Sequence, residues 1–209
     1  MILDNAIAAD LLHLGAATLG ESGGRPMRAR VSSGYAGARL AAPALPVACT
    51  PGDNLAVHAA VATAPAGVAL VVSVGDEREL GYWGEVLTTA AQARGVAGLV
   101  IDGCVRDVAR LEHLRFPVFS TGIALPGATK NKPGTVGQVA RAGDVDVRDG
   151  DWIVGDADGV TVVPRDALEP VLDAARARAA KEAHFFTALR DGATTVELLG
   201  LDVSPITRD

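Results

Sequence analysis

Aromatic residues are scarce in this chain, with four Phe, two Trp and two Tyr among 209 residues. A core short of rings must be built from Ala, Val, Leu and Ile, which suits close helix-on-sheet packing and leaves little for stacking on nucleobases. Cysteine is rarer still. Cys49 and Cys104 lie far apart and form no CxxC pair, so neither a disulfide framework nor a zinc knuckle is indicated, and a reducing cytoplasm fits. Basic residues are in deficit: 19 Lys and Arg against 25 Asp and Glu give a net charge of −6, opposite to the footprint of a protein that grips phosphate backbones. Direct binding of nucleic acid is not expected. The start of the chain carries Asp4 and Asp10 instead of a basic segment followed by an apolar run, so no secretory signal is readable. The stretch 55–75 has no formal charge with His58 neutral and is long enough to raise the question of a membrane span. Pro65 and Gly67 interrupt it, and it reads as a helix, a turn and a buried strand, with no membrane association.

What is present is a globular composition, 49% apolar and 21% charged. A chain of this length buries roughly 70% of its unfolded surface and needs no staples. One domain spanning 1–209 is expected, without internal repeat or linker. A first helix is expected over 4–19, and a strand with a glycine-permitted bend over 28–40. The segment 41–53 holds Pro43, Pro46 and Pro51 and ends in Pro-Gly-Asp, which reads as a turn, with Asp53 placed to cap a helix over 54–64. VALVVSV at 68–74 has the continuous apolar character of a strand covered on both faces. A helix from Glu85 to Arg94, closed by Gly95, and a second apolar run at 98–101 complete a right-handed βαβ crossover with parallel strands. Further strands are expected at 116–120, 136–142, 151–154 and 160–163. A last helix follows over 166–189, and then a polar, loose tail.

The crossover locates the chemistry. In parallel α/β sheets ligands bind beyond the carboxyl ends of the strands, where loops meet helix N-termini. Two such loops are adjacent here. The first, 75–84, leads into the helix starting at Glu85, whose unpaired amides and positive dipole end attract a carboxylate or phosphate. The second reads Asp102-Gly103-Cys104-Val105-Arg106-Asp107. Arg106 suits bidentate binding of an anion, and Asp107 is a hard oxygen ligand for a divalent ion, with Glu85 a second carboxylate nearby. Spacing alone also allows a plain surface ion pair, worth about 0–1 kcal/mol.

At these residues the sequence resembles a known family. Trp83-Gly84-Glu85, AAQARGVAGLVIDGCVRD ending at Asp107, FPVFSTG at 116–122, PGDNLAVHAAV at 51–61, the region 130–137 and GDADGVTVVP at 155–164 together closely resemble the RraA-like family. The resemblance covers roughly residues 10–185. It implies a layered αββα fold of the swivelling-domain kind and assembly into trimers, sometimes paired into hexamers. The family holds divalent-metal-dependent 4-hydroxy-4-methyl-2-oxoglutarate aldolases and non-catalytic regulators of ribonuclease E activity. Its aldolases are marked by an acidic residue, twenty intervening positions and Arg-Asp, a pattern met here by Glu85, residues 86–105 and Arg106-Asp107. By resemblance, Asp107 ligates Mg2+ or Mn2+, Glu85 holds metal-bound water and Arg106 binds the 2-oxo acid. The backbone at Gly84, Glu85, Val86 and Leu87 takes the substrate carboxylate. A further acid comes from a neighbouring subunit, with Glu182 the first candidate and Glu197 the second.

The implied reaction is that of a class II aldolase, in which a 2-oxo acid chelates the metal and the C–C bond breaks to leave a pyruvate enolate. Arg106 stabilises the enolate oxygen, and oxaloacetate decarboxylation follows from the same intermediate. Other residues read more plainly. Asp102 either orients Arg106 or forms a turn. Cys104 reads as a small buried thiol, His58 as a core or interface residue, and Lys130 and Lys132 as solvated loop lysines. Gly75, Gly81 and Gly84 do not form GxGxxG, so a dinucleotide or adenosylmethionine site is not indicated. The leading expectation is a lyase acting on oxo acids. The alternative is a binding regulator of RNA degradation, and methyl transfer to a quinone ranks last.

Overall fold

The two uninterrupted apolar runs become neighbouring parallel strands, as expected of segments covered on both faces. A computed structural model describes residues 5–207. In chain order its elements are α1 (Asn5–Glu21), β1 (Arg25–Pro26), β2 (Ser32–Ser33), β3 (Leu40–Cys49), α2 (Leu55–Thr63), β4 (Ala69–Ser73), α3 (Glu85–Ala93), β5 (Gly98–Asp102) and β6 (Cys104–Val105). They continue as α4 (Val108–His113), β7 (Val118–Ser120), β8 (Gly122–Ile123), β9 (Gly134–Val136), β10 (Ala140–Ala142), β11 (Val145–Val147), β12 (Trp152–Asp156), β13 (Gly159–Val163), α5 (Leu168–Arg190) and α6 (Thr195–Leu199).

The main sheet runs β1-β13-β12-β3-β4-β5-β7-β2, with β9 also on β3. Its centre, β3-β4-β5-β7, is parallel, and the β12–β13 hairpin adds to β3 antiparallel. Alternate side chains of β4 and β5 enter different cores. Leu70, Val72, Leu99 and Ile101 meet α2, α3, Trp83 and Phe116, while Ala69, Val71 and Val100 meet Phe119, Val147 and Ile153. Each such Val, Leu or Ile contributes about 1.5–3 kcal/mol by leaving water. A third core packs α1 and α5 on the hairpin through Leu11, Leu19, Trp152, Val154 and Leu172. The sheet curls into a half-barrel. A Cβ added at Gly155 of β12 would lie 2.6 Å from the ring of Phe119 on β7, so only glycine lets the two ends of the sheet approach. The result is the layered α/β fold expected from the sequence, and the stretch 55–75 is α2, a turn and β4. Among the described residues no helix is long and apolar enough to cross a membrane.

Four local expectations are corrected. Residues 28–40 form turns with only the two-residue strand β2, because this segment wraps the sheet end and tucks Met27, Val31 and Ala38 into the core. The turn expected at Pro51-Gly52-Asp53 is present, but the strand before it was not foreseen: β3 runs through Pro43 and Pro46 at the sheet centre. It tolerates them because it changes partners there, pairing through Leu40–Pro43 with β12, through Ala44–Ala48 with β4 and through Val47–Cys49 with β9. The run 136–142 divides between β9 and β10. The expected helix over 4–19 begins outside the described residues and is broken at Gly15, whose φ of 81° only glycine adopts freely. Asp156 accepts the Ala16 amide at 2.8 Å where the helix restarts. After α5 the tail carries α6, closed at its start by a Thr194–Glu197 capping box.

Candidate active site

The loops that leave the carboxyl ends of β3, β4, β5 and β7 converge on one rim and are tied by backbone hydrogen bonds. Asn54 donates to Thr129 O at 2.9 Å, Gly81 to Pro126 O at 2.7 Å, Arg106 to Trp83 O at 2.8 Å and Ala124 to Val105 O at 3.0 Å. Asp53 anchors the first loop. Its carboxylate accepts from Leu55 N (2.8 Å), Thr129 Oγ1 (2.7 Å), Asn131 N (2.6 Å) and Lys132 N (3.1 Å). Burial alone would raise the Asp53 carboxyl, but these donors hold it well below the usual carboxylate range. The expected cap on α2 is therefore real, and the same side chain staples the loop around residue 130.

Between the loops lies a cleft of about 240 Å³, lined by Asn54, His58, Gly84, Val86, Leu87, Arg106, Asp107 and Lys130, with Tyr82, Trp83 and the Gly81, Gly127 and Ala128 backbone completing the wall. Its back is rigid. Trp83 is buried, stacks on Phe116 with 5.8 Å between ring centroids, and donates from Nε1 to Thr88 Oγ1 at 2.6 Å. Arg106 occupies a track made by glycines: Cβ atoms added at Gly81 and Gly84 would lie 3.0 and 3.1 Å from its side chain.

Asp107 adopts the left-handed conformation, φ 59° and ψ 31°, which costs a non-glycine residue about 1–2 kcal/mol. This turns its carboxylate toward the start of α3, where Oδ2 accepts the Glu85 amide at 3.0 Å and lies 3.8 Å from Arg106 Nε. Gly84 is required at this point because a Cβ would collide with that oxygen, although its φ of −164° is ordinary extended backbone. Thr88 is the first amide of α3 bonded to its own helix, to Gly84 O at 3.0 Å. Among the described residues the amides of Val86 and Leu87 have no such partner, and both residues line the cleft.

The structure thus brings together Gly84, Val86, Leu87, Arg106 and Asp107. It places Glu85 differently: the backbone amide serves Asp107, while the carboxylate turns outward to Arg110, 2.8 Å from NH2. Glu182 is on α5, paired with Arg178 at 2.9 Å, and Glu197 is held in the α6 cap, so neither lines the cleft of its own chain. Asp102 neither orients Arg106 nor simply forms a turn. It is buried, bound to Arg30 at 2.9 Å through both oxygens, to Arg78 at 3.1 Å and to the Gly143 amide at 3.0 Å. Burial raises its carboxyl, and the Arg30 and Gly143 bonds outweigh this to hold it below its ordinary range. Cys104 is a buried thiol 3.7 Å from Thr121 Oγ1. Burial pushes the Cys49 thiol up to about 11, leaving it unreactive at neutral pH. Sequence reasoning missed Asn54 and the glycine track, and it read His58 and Lys130 as remote from the chemistry.

The sequence profile of the RraA-like family, described as Aldolase/RraA, matches residues 6–162. The chain belongs to the RraA-like family. A Halalkalibacterium halodurans protein provisionally named 4-hydroxy-4-methyl-2-oxoglutarate aldolase is 35% identical over 144 residues, 69% of each chain. An uncharacterised protein from Pseudomonas syringae superimposes with a TM-score of 0.84 at 26% identity, covering 95% of this chain and 94% of that one. The RNA-processing inhibitor RraA from Thermus thermophilis does so with a TM-score of 0.65 at 24% identity, covering 71% and 92%, a likeness of fold alone. The RraA-like fold therefore carries both a lyase name and a regulator name.

Among the described residues no three His, Cys, Asp or Glu side chains converge on a metal site. The donor set nevertheless fits a magnesium-type ion, which uses one or two protein carboxylates and completes its shell with water and substrate oxygens. Asp107 spends one oxygen on the Glu85 amide and faces a cleft open to a chelating ligand.

Proposed function

We propose that this protein is a divalent-metal-dependent aldolase that cleaves 4-hydroxy-2-oxo acids of the 4-hydroxy-4-methyl-2-oxoglutarate type to pyruvate and decarboxylates oxaloacetate. The observation that carries this reading is the strained Asp107, pressed against Gly84 beside Arg106 and the free amides of α3. Strained backbone clusters at functional sites, and of the three non-glycine residues with positive φ among the described residues, Asp107 is the one that lines this cleft.

Asp107 would hold Mg2+ or Mn2+, with Glu85 acting through water once released from its exposed pair with Arg110. When bound, the ion supplies Lewis-acid polarisation of a 2-oxo acid. The chain's own groups do the rest. The amides of Val86 and Leu87 bind the substrate carboxylate at the positive end of α3. The Arg106 guanidinium, held in its glycine track, lies where negative charge grows on the keto oxygen as the C–C bond breaks. Trp83 and Phe116 exclude water from the back of the site. Val86, Ile123 and Leu125, exposed by 77%, 62% and 81%, lie on α3 and on the loop facing it. They support closure by a neighbouring subunit in a trimer or hexamer, which would bring in the missing acid, with Glu182 the first candidate.

The test is release of pyruvate from 4-hydroxy-4-methyl-2-oxoglutarate and from oxaloacetate by purified protein with Mg2+ or Mn2+, read through a coupled dehydrogenase. Turnover that stops on adding a chelator is expected. A protein inert on both compounds with either ion is no aldolase, and the regulator reading, in which the chain binds a ribonuclease, takes its place.

A further inference from the structure

The cleft that holds Arg106 also holds, among its lining side chains, two buried polar atoms without partners. Asn54 stands just before α2, and its side-chain amide nitrogen donates to Tyr82 O at 2.7 Å, which pins the side chain and leaves Oδ1 buried with no hydrogen bond. His58 lies one turn on, its amide bonded to Asn54 O at 3.2 Å, and its Nε2 is likewise buried and unpaired. Among the described residues only two other side-chain atoms, both on arginines elsewhere, share that condition. A buried polar atom left unpaired costs about 1–3 kcal/mol, so a pair on one wall of a ligand-sized cleft marks a place where something that binds completes them. Both side chains line the same cleft, so one ligand can meet both.

The chemistry of the pair selects that group. Asn54 Oδ1 can only accept. In the neutral tautomer with its proton on Nδ1, His58 Nε2 also accepts, and His58 is kept neutral: burial lowers its pKa, the Lys130 ammonium lowers it further, and Asp53, committed to its own loop, opposes this only in part. Two acceptors require a donor. Carboxylates and keto groups have none at neutral pH, whereas a 4-hydroxy-2-oxo acid has one, the hydroxyl on C4, whose single proton only His58 can take up. With the oxo-acid end on Arg106 and α3, the rest of the substrate extends toward this wall.

We propose that His58 is the catalytic base that removes the C4 hydroxyl proton during carbon–carbon cleavage. The inference rests on the aldolase reading above. In the step, the hydroxyl proton moves to Nε2 and the O–H electron pair forms the C4 carbonyl. The C3–C4 bond breaks, and its electrons enter C2–C3, leaving the negative charge on the C2 oxygen beside Arg106. Water then protonates C3, and the imidazolium returns its proton to solvent. Decarboxylation of oxaloacetate generates the same enolate by loss of CO2 and has no hydroxyl proton to remove.

The two reactions therefore separate the base from the rest of the site. In His58→Gln, assayed as the full chain with Mg2+, the ratio of aldol cleavage to oxaloacetate decarboxylation is expected to fall about 100-fold, the usual contribution of a general base. Exchange of the pyruvate methyl protons, followed by NMR, should track decarboxylation. In the unaltered protein, cleavage should show an acidic limb that decarboxylation lacks, a readout that does not depend on any variant folding. An unchanged ratio in His58→Gln, or identical pH profiles for the two reactions, overturns the assignment. A wild-type protein that decarboxylates oxaloacetate but cleaves no 4-hydroxy-2-oxo acid also overturns it while sparing the metal site. A wild type inert in both reactions removes the aldolase reading itself, and the base with it.

Discussion

Replacing Gly84 with alanine adds one methyl group and tests whether the contact between the α3 turn and Asp107 matters. The backbone does not object, since φ −164° is open to any residue. The obstacle is the Asp107 carboxylate, which the new Cβ would overlap, with Arg106 Cγ 3.1 Å away on the other side. Asp107 must withdraw, losing its 3.0 Å bond from the Glu85 amide. That carboxylate is about two-fifths exposed, so the bond belongs at the low end for a charged group, about 1.5 kcal/mol. In a protein of this size that shifts Tm by only about 3–6 °C. The functional effect should be larger, because moving a reacting group by about 1 Å costs on the order of 100-fold in rate. A thermal melt by circular dichroism and a steady-state decarboxylase assay measure the two quantities. A variant with wild-type kcat/KM would show that the Gly84–Asp107 contact is incidental. A variant that loses stability and activity in proportion would show that the contact supports only the fold.

The remaining predictions concern individual charges. Asp107→Ala should remove nearly all turnover, about 1,000-fold or more, without relieving the left-handed backbone, which Ala tolerates no better than Asp; undiminished pyruvate release would exclude it as the metal ligand. Arg106→Lys should lower kcat/KM by about 10–100-fold, since an ammonium cannot reproduce the planar fork, and retention of full activity would refute bidentate anchoring. Asp53 is held below its ordinary pKa in the folded state. Its stabilising effect is therefore complete above about pH 4, the unfolded value, and is lost as the pH falls through the depressed folded value. Asp53→Asn should lower the urea midpoint at pH 7, and its gap to the wild type should narrow as the pH falls from about 4 toward 2; an equal gap at pH 7 and pH 2 would mean that the charge is irrelevant there.

The βαβ unit was legible because its signals are local: two apolar runs, a helix with Glu85 at its start and Gly95 after its end, and a loop ending in Arg106-Asp107. These residues also carried the family resemblance. The central strand β3 was hidden because Pro43 and Pro46 mimic a turn, and only its exchange of partners explains why they are admitted. The role of Asn54 and His58 was hidden for a different reason. Their wall is completed by Ala128 and Lys130, brought across by Asp53 and Thr129 from a loop whose sequence has no periodicity to read. The orientation of Glu85 depends on Arg110, twenty-five positions away on α4, a partner that helical spacing within α3 does not reveal.

The divided allegiance of β3 has a consequence during synthesis. Its second half finds β4 soon after emerging from the ribosome, but its first half waits for β12, near the end of the chain. Until then Leu40–Pro43 is a bare ribbon able to recruit a strand from another nascent molecule. Pro43, which offers no amide, blunts that ribbon. Restoring a donor there with Pro43→Ala should leave the finished protein standing and lower the yield of soluble chains during rapid expression.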